Sequence, residues 1–280
     1  MEDAMLKRLK GNLLIFVLLL AFIGVMIAGQ KKEQNDLRET SERNGQARIE
    51  NVTTVATDQG QDTVTEQPYK NEKVDFKGKE FTYSPLGSSL TAGYYASKEN
   101  KKFASVLSNA IEEEMNYKVS LEGHSAHEAL LMHGLDAVPE INKQEPDLVS
   151  IEFGTSDCSA KNNIPVDTFQ KQLDLLVNDL TGEGTSKPQV VLLTTWSAGE
   201  RCQAFDEAVK TVGEEHNFPV VDLSEVWGDS SNVGRKGVQT YNGVSDNLYP
   251  NDNGMEVIAN KIFEAVEGPL KERGLKTTES

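Results

Sequence analysis

From Phe81 onward, apolar strand-like runs alternate with amphipathic segments, and this alternation restricts the fold more than any other feature of the chain. "FTYSPLG" (81–87) reads as a first strand, with Pro85 awkward inside it. Phe103 to Met115 spaces Phe103, Val106, Leu107, Ala110, Ile111 and Met115 as one helical face. "YKVSLEG" reads as a second strand, and 126–141 as a helix with Pro139 in or closing its last turn. "PDLVSIEFG", with its Pro-Asp start, and "PQVVLLTTW" read as buried strands. Helical patterns over 165–180, 205–216 and 253–270, and a short strand in "FPVVDL", complete the series. Such a series predicts a mostly parallel sheet covered by helices on both faces, in one domain of about 200 residues. Ligands of such sheets bind beyond the carboxyl ends of the strands. The segments there are Gly87-Ser88-Ser89, Gly123-His124-Ser125, Gly154-Thr155-Ser156-Asp157, Trp196 to Cys202 and Trp227 to Asp252.

The formal net charge of -16 argues against a nucleic-acid partner and against docking of this domain on an anionic membrane surface. The amino terminus differs. Lys7, Arg8 and Lys10 precede a run of 16 residues, 13–28, without a charge, which spans about 24 Å as a helix. It lacks a small-x-small cleavage site, so it reads as an uncleaved signal anchor within residues 1–29; the competing reading is a cleaved signal peptide. This places the membrane among the partners, through the N-terminal helix, with a single-pass topology and the main domain extracytoplasmic. Residues 30–77 are rich in Gln, Asn, Thr, Glu and Asp and poor in large apolar side chains, and are expected to form a flexible polar stalk. The folded domain is expected over 78–272, with a flexible tail at 273–280.

Four segments, in order, resemble blocks of the SGNH (GDSL) hydrolase family. "LGSSLTAGYYAS" is similar to the first block, glycine-aspartate-serine-leucine. "SLEGHSAHEAL" is similar to the second, "PDLVSIEFGTSD" to the third (glycine-x-asparagine-aspartate), and "SDNLYPNDNGMEVIANKI" to the fifth (aspartate-x-x-histidine). The resemblance covers about residues 80–268. It implies a flavodoxin-like three-layer α/β/α sandwich with a mostly parallel five-stranded sheet. It also implies cofactor-free acyl transfer to water, on an ester-bearing lipid, glycan or cell-wall polymer. Carried over by position, Ser89 is the nucleophile and Asp246 the acid that orients a histidine. The N–H groups of Ser89 and Gly123, with the side chain at Ser156, form the oxyanion hole. Asp157 stands on the third block's aspartate. Cys158 and Cys202 follow two strands that are neighbours in the family's sheet, so the resemblance makes them candidates for one disulfide, against two free thiols.

Three positions depart from the pattern. Ser88 replaces the first-block aspartate, Ser156 the third-block asparagine and Tyr249 the fifth-block histidine. A phenol, with an ordinary pKa near 10, is a poor general base, and Asp246 would accept its proton in a hydrogen bond rather than activate it. Four histidines remain. His216 is expected to be structural, and His127 and His133 to lie on the solvated face of the second helix. His124, next to Gly123, is the candidate substitute base or rim residue. "HEALLMH" is not a zinc-binding H-E-x-x-H, because Leu131 occupies the second histidine's place, and no metal site is expected. Two functions follow: an anchored esterase with a rearranged site, or an inactive relative that binds an envelope glycan, lipid or protein. An envelope assembly factor, supported by the anchor and stalk alone, is a third.

Overall fold

The computed structural model describes residues 75–276, Ala198 excepted. The expected membrane helix, the stalk up to residue 74 and the tail from 277 lie outside these residues.

Proline has no N–H to give to a ladder, and Pro85 divides the first strand into β1 (Glu80–Tyr83) and β2 (Leu86–Gly87). The second strand divides at the same level into β3 (Lys118–Leu121) and β4 (His124–Ser125). β1 pairs with β3, placing Phe81 opposite Val119, and β2 pairs with β4, placing Leu86 opposite His124. On the other side both halves of the first strand meet β5 (Leu148–Glu152), followed by β6 (Gln189–Leu193) and β7 (Val220–Val221). With the divided strands joined, the sheet has five strands, every ladder parallel, in the order second, first, third, fourth, fifth. The order reverses between the first and third strands, so the cleft for a ligand opens beyond β2 and β5.

Helices cover both faces. On one face α1 (Phe103–Met115) and the terminal α6 (Asp252–Lys276) bury Phe103, Leu107, Ile111, Ile258, Ile262 and Val266. On the other, α2 (Leu131–Lys143), α3 (Val166–Thr181) and α4 (Glu200–His216) bury Ile141, Phe169, Leu176, Phe205 and Val209. All five residues of β5 are buried, the polar Ser150 and Glu152 among them, as expected of a parallel strand covered on both faces. Each fully buried Leu, Ile or Phe contributes about 1.5–3 kcal/mol from apolar area removed from water.

Several boundaries differ from the expectation. Phe76, ahead of residue 78, is buried, donates its N–H to the Met115 carbonyl and stacks on Tyr117 at 4.6 Å. α6 continues past 272 to Lys276, and α2 continues past Pro139 to Lys143. The largest difference lies at the start of α2, five residues later than predicted. Glu128 has φ 51, a left-handed conformation that no right-handed helix admits. The first turn is instead held by neighbours: Leu131 N–H donates to Asp157 Oδ1 at 3.0 Å, and Leu130 N–H to His133 Nδ1 at 2.9 Å. His133 is therefore a helix cap rather than an idle surface residue.

Between the short helix α5 (Ser224–Gly228) and α6 the chain forms a hairpin, β8 (Gln239–Thr240) with β9 (Gly243–Val244). It is tied to the segment after β2 by Tyr241 N–H to the Ala96 carbonyl (3.0 Å) and Asn242 Nδ2 to the Ala92 carbonyl (2.9 Å). On α2, a Cβ at Gly134 would lie 2.6 Å from the Phe153 ring. Gly134→Ala is expected to destabilise the fold by about 1–3 kcal/mol through overpacking, read from the urea midpoint. An unchanged midpoint would show that the helix shifts at no cost.

Candidate active site

β2 ends at Gly87, where a Cβ would strike Thr91 Oγ1, so only glycine lets the chain turn this tightly against its own continuation. The turn places Ser89, fully buried, beyond the sheet edge. Its Oγ has three partners. His127 Nδ1 lies at 2.9 Å, Glu128 N–H donates to it at 2.8 Å, and the Tyr249 hydroxyl is hydrogen-bonded to it as well. The first two come from the irregular loop that replaces the expected first turn of α2. The left-handed residue Glu128 aims its N–H at the serine while the preceding side chain reaches the same atom. The His127 ring stacks on Tyr94 at 4.6 Å and 15°.

Tyr249 lies at the meeting of the two halves of the site, with Tyr94 and Tyr95 ring centroids 6.2 and 5.9 Å away. Burial raises its phenol above the ordinary value, and the Glu152, Glu128 and Asp246 carboxylates push the same way, against the opposing bond to Ser89. It holds its proton and acts in hydrogen bonding, not as a base. Beneath the turn, fully buried Glu152 accepts from Ser88 N–H (3.1 Å), Ser88 Oγ (3.1 Å), Thr91 N–H (3.2 Å) and Thr91 Oγ1 (3.1 Å).

These residues lie within a single matched unit. The model of the GDSL-like Lipase/Acylhydrolase family matches residues 86–257, more than half of the chain. The chain belongs to this family. Among solved structures it is similar to the lipase/acylhydrolase from Enterococcus faecalis, at 23% identity over 68% of this chain and 96% of that one, with a TM-score of 0.56. It is also similar to the psychrotrophic esterase EstA from Pseudoalteromonas sp. (20% identity, 68% and 98% coverage, TM-score 0.54). A third likeness is to a two-domain esterase (CEX) active on acetylated mannans, at 21% identity (69% and 50% coverage, TM-score 0.52). At these identities the likeness is one of fold. No curated protein sequence matches the chain significantly.

The positions expected from the GDSL pattern divide into those gathered at Ser89 and those directed elsewhere. Gly123, expected to offer its N–H to an oxyanion, donates it instead to Gln144 Oε1 at 3.0 Å. Its φ of +97 and its contact with Pro85 suit it to the break between β3 and β4. The Ser89 N–H has no hydrogen-bond partner among the described residues. Asp246 was expected to pair with Tyr249; it accepts instead from the Tyr95 hydroxyl and from Leu248 N–H at 2.9 Å. That turn, with Asn247 at φ 67, holds the carboxylate outward among exposed residues. His124, the expected substitute base, is half-exposed and faces Glu140, Nδ1 to Oε2 3.3 Å. His216 bonds Asp174 at 2.7 Å and stacks on Phe218, a structural role.

Ser156 is buried in the turn after β5, where its carbonyl accepts from Asn162 Nδ2 at 2.8 Å. Asp157 is a clasp: its carboxylate takes Leu131 N–H and Gly154 N–H, each at 3.0 Å, and so fixes the loop carrying His127. Burial raises its pKa in spite of these bonds. Cys158 and Cys202 form a disulfide, Cα atoms 5.0 Å apart, joining this turn to α4. Among the described residues no group of His, Cys, Asp and Glu is arranged to hold a metal.

Two residues escaped the sequence reading. His127 was assigned to a helical face because 126–130 was read as helix. Glu152 was absorbed into an apolar strand, although a lone carboxylate in "LVSIEFG" was a visible signal. Tyr249 also lines a cavity of about 390 Å³ together with Thr155, Trp196, Trp227, Val233 and Leu248. A larger one, about 480 Å³, is lined by Asp222, Glu225, Lys261 and Glu264 and by none of the residues around Ser89.

Proposed function

We propose that this GDSL-family protein is an esterase in which Ser89 is the nucleophile and His127, in place of the missing fifth-block histidine, is the general base. The observation that carries the reading is the 2.9 Å contact between Ser89 Oγ and His127 Nδ1, within the range a general base requires. A serine hydroxyl has one proton and two lone pairs. Glu128 N–H fills one lone pair, and with the hydroxyl proton directed at His127 Nδ1 the imidazole is the Nε2–H tautomer. On attack, Oγ bonds to the ester carbonyl carbon while His127 takes its proton. The imidazolium then returns that proton to the departing alkoxide, leaving an acyl-serine. Water, deprotonated by the same imidazole, cleaves the acyl-serine and regenerates the hydroxyl. The Ser89 N–H, which has no partner among the described residues, is the donor proposed for the oxyanion.

No carboxylate hydrogen-bonds His127 among the described residues; the Tyr94 ring orients it by stacking. In serine triads, disabling the orienting carboxylate lowers turnover by about ten-thousandfold, so a slow enzyme is expected. The substrates proposed are acyl or acetyl esters of lipids, glycans or cell-wall polymers. The Trp196 and Trp227 cavity beside Tyr249 supports an apolar or ring-shaped group next to the ester. We place the domain outside the cytoplasm, tethered by the apolar run at 13–28; the disulfide supports an oxidising compartment.

Hydrolysis of p-nitrophenyl acetate by the full chain tests the reading against Ser89→Ala and Tyr249→His. Turnover by wild type and its loss in Ser89→Ala are expected. If wild type is no faster than Ser89→Ala, and Tyr249→His gains rate, the protein is a binding relative that has lost its base.

A further inference from the structure

The serine turn rests on a carboxylate the mechanism above does not use. Glu152 is fully buried at the end of β5, opposite Gly87 in one ladder and Leu193 in the other. All four of its polar neighbours are donors, two N–H and two O–H groups, from the residues on either side of Ser89 and Leu90. An ionised carboxylate is acceptor-only and fits four donors; a neutral carboxyl carries a proton of its own, for which this pocket has only hydroxyl oxygens that must first turn round. The family pattern puts an acid at position 88. Here Ser88 stands at that position and bonds, through both its N–H and its Oγ, to an acid on the neighbouring strand.

We propose that Glu152 is a positioning residue: its carboxylate clamps the Ser88–Thr91 turn so that Ser89 faces His127, and protonation of Glu152 slackens the clamp and slows the enzyme. Burial pushes its carboxyl up to about 7, against the opposing pull of the four hydrogen bonds, so the change falls near neutral pH. Burial, with the Glu152 carboxylate adding to it, raises the Tyr249 phenol, which stays protonated through that range. Because the clamped form is the ionised one, activity is expected to rise with pH through the Glu152 transition.

The inference rests on the esterase reading, and its test separates the two. Rates for p-nitrophenyl acetate between about pH 5 and pH 9 are compared in wild type, Glu152→Gln and Glu152→Asp, with the Ser88 and Thr91 amide signals followed by NMR in the same samples. Wild type should lose kcat in acid through a proton uptake at Glu152. Glu152→Gln should lower kcat about tenfold to a hundredfold, with KM little changed, and lack that uptake. Glu152→Asp, which keeps the charge, should keep it. The two amides should shift with one midpoint in wild type and lose that transition in Glu152→Gln. Amides that do not titrate in wild type, or a Glu152→Gln enzyme with wild-type kcat and the wild-type pH profile, would overturn the proposal. Titrating amides in a protein without turnover would uphold the clamp and sink the esterase reading alone.

Discussion

His127→Ala should lower kcat for p-nitrophenyl acetate about a hundredfold to ten-thousandfold, the range supplied by a positioned general base. The effect should fall on kcat rather than KM, because the imidazole acts on the serine proton and not on bound substrate. Added imidazole should restore part of the loss, since the variant leaves a space against Tyr94 where the ring stacked. Ser89→Ala and His127→Ala together should cost little more than either alone, as expected of two groups working on one proton. The corresponding change at His124 should be nearly silent, because that side chain faces Glu140 at 3.3 Å. If His127→Ala keeps its rate and His124→Ala does not, the base has been assigned to the wrong histidine.

Replacing both Cys158 and Cys202 by serine should destabilise the domain by about 4 kcal/mol, from the loop entropy released by opening a closure of sequence separation 44. For a domain of this size that is a fall in Tm of about 10 °C. The bridge joins the turn carrying Asp157 to the first turn of α4, and Asp157 in turn holds Leu131 at the end of the loop carrying His127. Loss of the bridge is therefore expected to slow turnover below the melting transition as well, by loosening His127. Differential scanning calorimetry under non-reducing conditions checks the first effect, and the rate at 25 °C the second. Equal Tm values for variant and wild type would show that the unfolded chain is not restrained by the bridge.

Helix faces, the inner strands and the turn that carries Ser89 were legible in the chain itself. The short segments 148–152 and 189–193, rich in Leu, Val and Ile, read as inner strands, although Ser150 and Glu152 stand in the first of them. The 3.6-residue spacing of Phe169, Leu173, Leu176 and Leu180 made α3 equally plain. Ser89 could be located because a glycine-bounded turn after a first strand is a local property. Its partners were not local. Residues 126–130 have helical periodicity, but the bonds from Asp157 and His133 start the helix at Leu131 and turn His127 toward Ser89, 38 positions earlier. Glu152 acquires its meaning only when the parallel ladder sets it opposite Gly87. Gly123 and Asp246 kept the family's residue types while Gln144 and Tyr95 took their hydrogen bonds. Periodicity and turn chemistry act over a few neighbouring residues and are written in order along the chain. The direction of one side chain in a loop depends on hydrogen bonds from distant segments, which exist only once the sheet has brought those segments together.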